Sequence, residues 1–100
     1  MAQSFDETVF VRFYVLLIAQ INGKTVVKKE HSVITRWQEP LAVMKKQFAE
    51  MVHMDISELT FVYDDVELED NKFANDYDMG NGYVVEAYIN DAKFEENTSQ

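Results

Sequence analysis

From Val9 to Ile21 every odd position of the chain is apolar: Val9, Val11, Phe13, Val15, Leu17, Ala19 and Ile21. The even positions mix Phe10, Arg12, Tyr14, Leu16, Ile18 and Gln20. A period of two with one wholly apolar set predicts a strand over residues 9–21 whose odd face rests on a core. Asn22-Gly23 follows. Both central residues of a type I′ hairpin turn need positive φ, which this pair tolerates. Residues 24–35 then return antiparallel. Lys28, Lys29 and Glu30 cannot all point inward, so a bulge or an early strand end is expected near them.

Pro40 suits the first turn of a helix, where its missing N–H costs nothing. Leu41, Met44, Phe48 and either Met51 or Val52 recur at three- and four-residue steps and form one apolar stripe. Lys45, Lys46, Gln47 and Glu50 fill the polar remainder. The expected helix starts at Pro40 and runs for about 13 residues, an ordinary length. Trp37, just before it, is expected to cover the edge of the core. Residues 54–58 read as a polar connector with Ile56 tucked in.

Beyond the connector, Leu59-Thr-Phe-Val-Tyr63 alternates as a strand, and Asp64-Asp65 marks a turn. Val66 and Leu68 make a short strand, and residues 69–75 a loop. Tyr77 and Met79 are expected to plug the core, and Gly80-Asn81-Gly82 to break the chain. In the last strand, 83–89, Val84, Glu86 and Tyr88 alternate against Val85, Ala87 and Ile89. The order is ββαββ, a loop, then a final strand. The first and last strands are expected to pair in parallel at the sheet centre, a place that the apolar odd face of the first strand fits. The expected class is α+β, a mixed four- or five-stranded sheet with one helix packed across one face.

The 100 residues make one domain, expected over residues 9–90. Residues 1–8 and 91–100 are expected to be flexible, the latter acidic. Without cysteine, disulfides and thiolate chemistry are excluded. The apolar run 9–21 is too short to span a bilayer and carries Arg12. Asp6 and Glu7 precede that run where a signal peptide would carry positive charge, so no secretory signal is expected and the glycosylation-sequon match Asn97-Thr98-Ser99 is expected to be chance. The net charge of −9 is unevenly placed. Residues 1–49 hold seven basic and four acidic side chains, residues 50–100 two basic and fourteen acidic. An acidic half of this strength repels phosphate backbones and disfavours nucleic acid. Basic protein partners are the natural expectation, with solubility alone the competing one.

The pattern Pro40-Leu-x-x-Met-x-x-x-Phe48, then Ile56-Ser-x-Leu-x-Phe-x-Tyr-Asp-Asp65, Asp70-Asn71, Tyr77-x-Met79 and Val84-Val-Glu-Ala-Tyr88 resembles the small ubiquitin-like modifiers, the SUMO proteins. It is as similar to the SUMO-like domains of the Rad60/NIP45 type. From Leu41 to Tyr88 the SUMO pattern runs without a gap. The turn Ile21-Asn-Gly-Lys-Thr-Val26 looks like the first turn of ubiquitin. The resemblance implies a ubiquitin-like β-grasp. Two departures matter: the stretch between the first strand and the helix is longer than in SUMO, and no Gly-Gly follows the last strand. The resemblance then implies a non-conjugated module that binds partners non-covalently, in the nucleus or the cytoplasm.

Two partner surfaces follow from the resemblance. SUMO proteins take a short apolar strand, the SUMO-interacting motif, by edge addition between the second strand and the helix. The matching residues here are Val33, Ile34, Thr35, Arg36, Val43 and Lys46, with Lys28 and Lys29 at the rim. Val33 stands where SUMO has Phe, and Met51 where it has Arg. Rad60-type domains instead bind the SUMO-conjugating enzyme through the sheet and its acidic turns, matched here by Asp64, Asp65, Glu67 and Glu86. For each surface the competing reading is an ordinary solvated face.

Other chemistry is weaker. Glu50-x-x-His53 has the spacing of a di-iron motif but lacks the second pair; His53 reads as a helix-end contact. Gly80-x-Gly82 opens no helix, and the run 64–70 lacks EF-hand spacing. No cofactor, metal or catalytic constellation is expected, so the chain reads as a non-enzyme and a monomer. The alternative is a β-grasp scaffold of the PB1 kind. In it the acidic segment 64–78 of one copy meets Lys28, Lys29 and Lys45 of another, head to tail.

Overall fold

A computed structural model describes residues 9–79 and 82–90. The expectations for residues 1–8, 80–81 and 91–100 lie outside the described residues. Strand β1 (Phe10–Ile21) turns at Asn22-Gly23 into β2 (Lys24–Arg36). Helix α1 (Leu41–Met51) follows, then β3 (Leu59–Tyr63), β4 (Val66–Glu67) and β5 (Tyr83–Ile89). The sheet order is β2-β1-β5-β3-β4. β1 and β5 are parallel and central, and the other pairs are antiparallel. This five-stranded mixed sheet with one helix is the β-grasp expected from the sequence.

The alternation of β1 explains its central place. Val11, Phe13, Val15 and Leu17 are buried beneath α1, beside Val85 and Ala87 of β5 and Leu59 and Phe61 of β3. Asn22 and Gly23 have φ of 54° and 78°, the two left-handed residues that a I′ turn requires. The bulge also lies where charge demands it. Leu17 pairs with Lys29 and Ile18 with Val27, so Lys28 is the extra residue.

Leu41, Met44 and Phe48 seat the helix, each 2% exposed or less. Its N-terminal donors are met by a distant loop, since no side chain caps Pro40. The Leu41 N–H donates to the Lys72 carbonyl (2.8 Å) and the Ala42 N–H to the Asp70 carbonyl (3.1 Å). At the other end, His53 takes φ 60°, and the His53 and Met54 N–H groups donate back to Glu50 and Ala49. That Schellman closure ends the helix at Met51, short of the expected 13 residues. Val52, rather than the exposed Met51, continues the apolar stripe.

Three side chains depart from expectation. Ile56 is 38% exposed rather than tucked in, because it opens a single 3-10 turn on the surface. Leu68 is fully buried but lies just past β4, which ends at Glu67. Lys45, expected on the polar face, is buried: its ammonium donates to the Leu68 carbonyl and to Asp70 Oδ1 (2.8 Å). Its stem runs inward, and the Nζ lies 5.6 Å from the centre of the Phe61 ring. Met79 is buried, and Tyr77 and Trp37 pack against the core, as their positions predict.

Candidate protein-binding surfaces

One sheet face is covered by α1, and alternation sends the other set of side chains to the opposite face. Across that outer face β1 presents Tyr14 and Leu16, with Ile18 buried, and β5 presents Val84, Glu86 and Tyr88 at the levels of these three residues. Val62 of β3 stands beside Glu86 and is flanked on its other side by Glu67 of β4. Asp64 and Asp65 bridge the Tyr63–Val66 pair with φ of 54° and 65°. Short Asp side chains tolerate this left-handed pair, and it leaves both carboxylates exposed at the end of the sheet.

An open depression of about 440 Å³ is lined by Tyr63, Asp64, Asp65, Val84 and Glu86. The structure thus brings together three of the four expected acidic residues, with Glu67 one strand away across Val62. Val84 is 48% exposed among them. Tyr88 OH donates to Glu86 Oε1 (3.1 Å), which orients that carboxylate. The Tyr63 and Tyr83 rings stack with centroids 5.4 Å apart. Val84 and the tyrosines were not among the candidates; the signal for Val84 was its alternation with inward Val85.

The phenol of Tyr88 is raised from its ordinary pKa of 10.0 by burial first, then by its hydrogen bond to Glu86, then by the charges of Glu86 and Asp65. Tyr63 is raised by burial first, then by Tyr83, Asp64 and Asp78. Folding therefore favours the protonated phenols. The unfolded chain loses these protons near pH 10 while the fold holds them higher, so their contribution is complete below pH 10 and is lost as pH rises through the folded values. A near-ultraviolet phenolate titration should show native tyrosines ionising above those of the denatured chain, and Tyr88→Phe should remove part of the difference. Overlaid native and denatured curves would contradict this account.

The second candidate surface is divided by the pleat. Val33 and Thr35 are buried beneath α1, at 0% and 5% exposure. Ile34 and Arg36 point to the outer face, where Arg36 lies 5.5 Å from the centre of the Phe10 ring. Val43 is half-buried and Lys46 exposed on the helix. β2 is an edge strand of the sheet, so its outer backbone edge has no strand partner among the described residues. Of the basic set proposed for head-to-tail contact, Lys28 and Lys29 are exposed and Lys45 is not. Among the described residues no cluster of His, Asp or Glu is arranged to hold a metal ion, and no helix is long and apolar enough to cross a membrane.

Comparison with known proteins agrees with this architecture. Among solved structures, the chain is similar to a ubiquitin of Caldiarchaeum subterraneum, with a TM-score of 0.62 and 8% identity over 79% of this chain and 94% of that one. It is also similar to the Arabidopsis thaliana protein At2g32350, with a TM-score of 0.64 and 15% identity over 81% and 87% of the two chains. These likenesses define the class, a ubiquitin-like β-grasp domain. Residues 23–89 match the model of the family described as Ubiquitin-2 like Rad60 SUMO-like, and the chain belongs to that family. No curated protein matches the sequence.

Proposed function

We propose that this domain is an adaptor that binds protein partners non-covalently through its acidic outer face, in the nucleus or the cytoplasm. The partner is a basic protein surface of the kind a SUMO-conjugating enzyme presents. The observation that carries this reading is the depression that gathers Asp64, Asp65 and Glu86 around exposed Val84. Carboxylates of one sign speed encounter with a basic partner and orient it. The exposed apolar centre supplies area that leaves water on binding. The edge-strand groove is less favoured, because two of its six expected residues are buried under the helix.

The test is an NMR titration of the chain with a SUMO-conjugating enzyme and, separately, with a SUMO-interacting peptide. The enzyme is expected to shift amides at residues 63–67 and 84–88. Asp64→Asn/Asp65→Asn/Glu86→Gln keeps the left-handed turn, because Asn tolerates that conformation. It is expected to weaken binding by about tenfold, with a shallower salt dependence. Shifts confined to residues 33–36 and 43–46, or no shift with either ligand, would overturn the reading.

A further inference from the structure

We propose that the protein also assembles head to tail, the β1–β2 hairpin tip of one copy docking on the acidic depression of a second copy. This goes beyond the adaptor reading: it shares the acidic depression with that reading and adds a second surface, the hairpin. β1 pairs with β5 only from Phe13 to Ile18. Beyond Ile18 the hairpin continues as a two-stranded ribbon, Ala19–Ile21 against Lys24–Val26, with no third strand beside it among the described residues. Lys24, Lys28 and Lys29 are exposed on it. So are Ile21, Val26 and Val27, at 47%, 37% and 54%. The surplus lysine left by the bulge, Lys28, adds to the positive end. A ribbon with apolar and basic side chains together matches a depression with exposed Val84 ringed by three carboxylates.

Topology makes the contact intermolecular. β5 runs parallel to β1 and antiparallel to β3, so the 64–65 turn and Val84 lie at the end of the sheet opposite the hairpin tip. Val84 is level with Tyr14, and from Tyr14 to Ile21 a strand advances roughly 23 Å. A rigid sheet cannot fold its tip back across that span onto its own depression. Tip and depression are different surfaces at opposite ends, so the contact is heterologous and propagates unless a ring closes. The lysines supply what buried Lys45 cannot. The interface is small and therefore weak.

Sedimentation equilibrium of the full chain from about 10 µM to about 1 mM tests this. At about 50 mM salt the average mass is expected to rise with concentration above 11.7 kDa, and to fall back toward it at about 500 mM. Lys24→Glu/Lys28→Glu/Lys29→Glu and Asp64→Asn/Asp65→Asn/Glu86→Gln should each be monomeric alone. Mixed, they should form a capped pair and nothing larger, because each retains the surface the other has lost. Far-ultraviolet melting checks that both variants fold. The lysine variant keeps the acidic face, so it separates failure of this proposal from failure of the adaptor reading. A wild-type mass fixed at one copy, association indifferent to the lysine changes, or no pair on mixing would overturn it.

Discussion

Replacing Phe48 with alanine is expected to lower the unfolding free energy by about 3–5 kcal/mol, the usual cost of removing a buried aromatic ring. Phe48 is 0% exposed and stands where the helix meets the sheet. Its ring meets Phe61 edge-on at 5.9 Å and His31 at 6.0 Å, so the change removes a ring contact from each. Helix and strands surround the position, and little local collapse can refill the space. Phe48→Leu retains most of the volume and is expected to cost about 1–1.5 kcal/mol. A domain of this size has about 5–15 kcal/mol in total, so the alanine variant should be visibly destabilised at room temperature. Urea unfolding of both variants, with unchanged slope, is the measurement. An alanine variant within about 1 kcal/mol of wild type would mean that the helix is not held on the sheet by this ring.

Phe48 was legible in the sequence because its spacing from Leu41 and Met44 is local, set by one helix period. The same holds for β1, whose alternation repeats for thirteen positions, and for Asn22-Gly23, which specifies a turn within two residues. The partner surfaces were harder to read. Asp64 and Asp65 are adjacent in sequence, but their meeting with Glu86 depends on the β3–β5 register that sets Val62 beside Glu86. No periodicity reports a long-range register. Val33 to Arg36 were grouped as one surface by resemblance, yet neighbouring residues of a strand face opposite ways, and the sheet separates them accordingly. Ile56 was ambiguous for a related reason: an isolated apolar residue in a connector has no period to say which way it points. Val66 and Leu68 give a single alternation, too short to fix that the strand ends at Glu67.

Lys45→Met is expected to lower stability by about 2–3 kcal/mol, even though methionine keeps the apolar stem and suits a helix. The Lys45 side chain is 8% exposed, and its ammonium serves two acceptors from one loop, the Leu68 carbonyl and the Asp70 carboxylate. That loop is itself the helix's N-terminal cap, because the carbonyls of Asp70 and Lys72 accept from Ala42 and Leu41. Removing the ammonium orphans a carbonyl at fully buried Leu68 and loosens the carbonyls that hold the first turn of α1. Asp70→Asn should cost less, about 1 kcal/mol or under, because the carboxylate is 71% exposed and water screens its share of the pair. The double variant is expected to fall short of the sum, since both changes act on one network. Hydrogen exchange adds a local readout: the Leu41 and Ala42 amides should exchange faster in Lys45→Met, while those of β1 slow or quicken only with global stability. If Asp70→Asn instead matched Lys45→Met, the carboxylate rather than the buried carbonyl would carry the interaction. If neither moved stability, Lys45 would be the solvated lysine that its place between Met44 and Lys46 suggests.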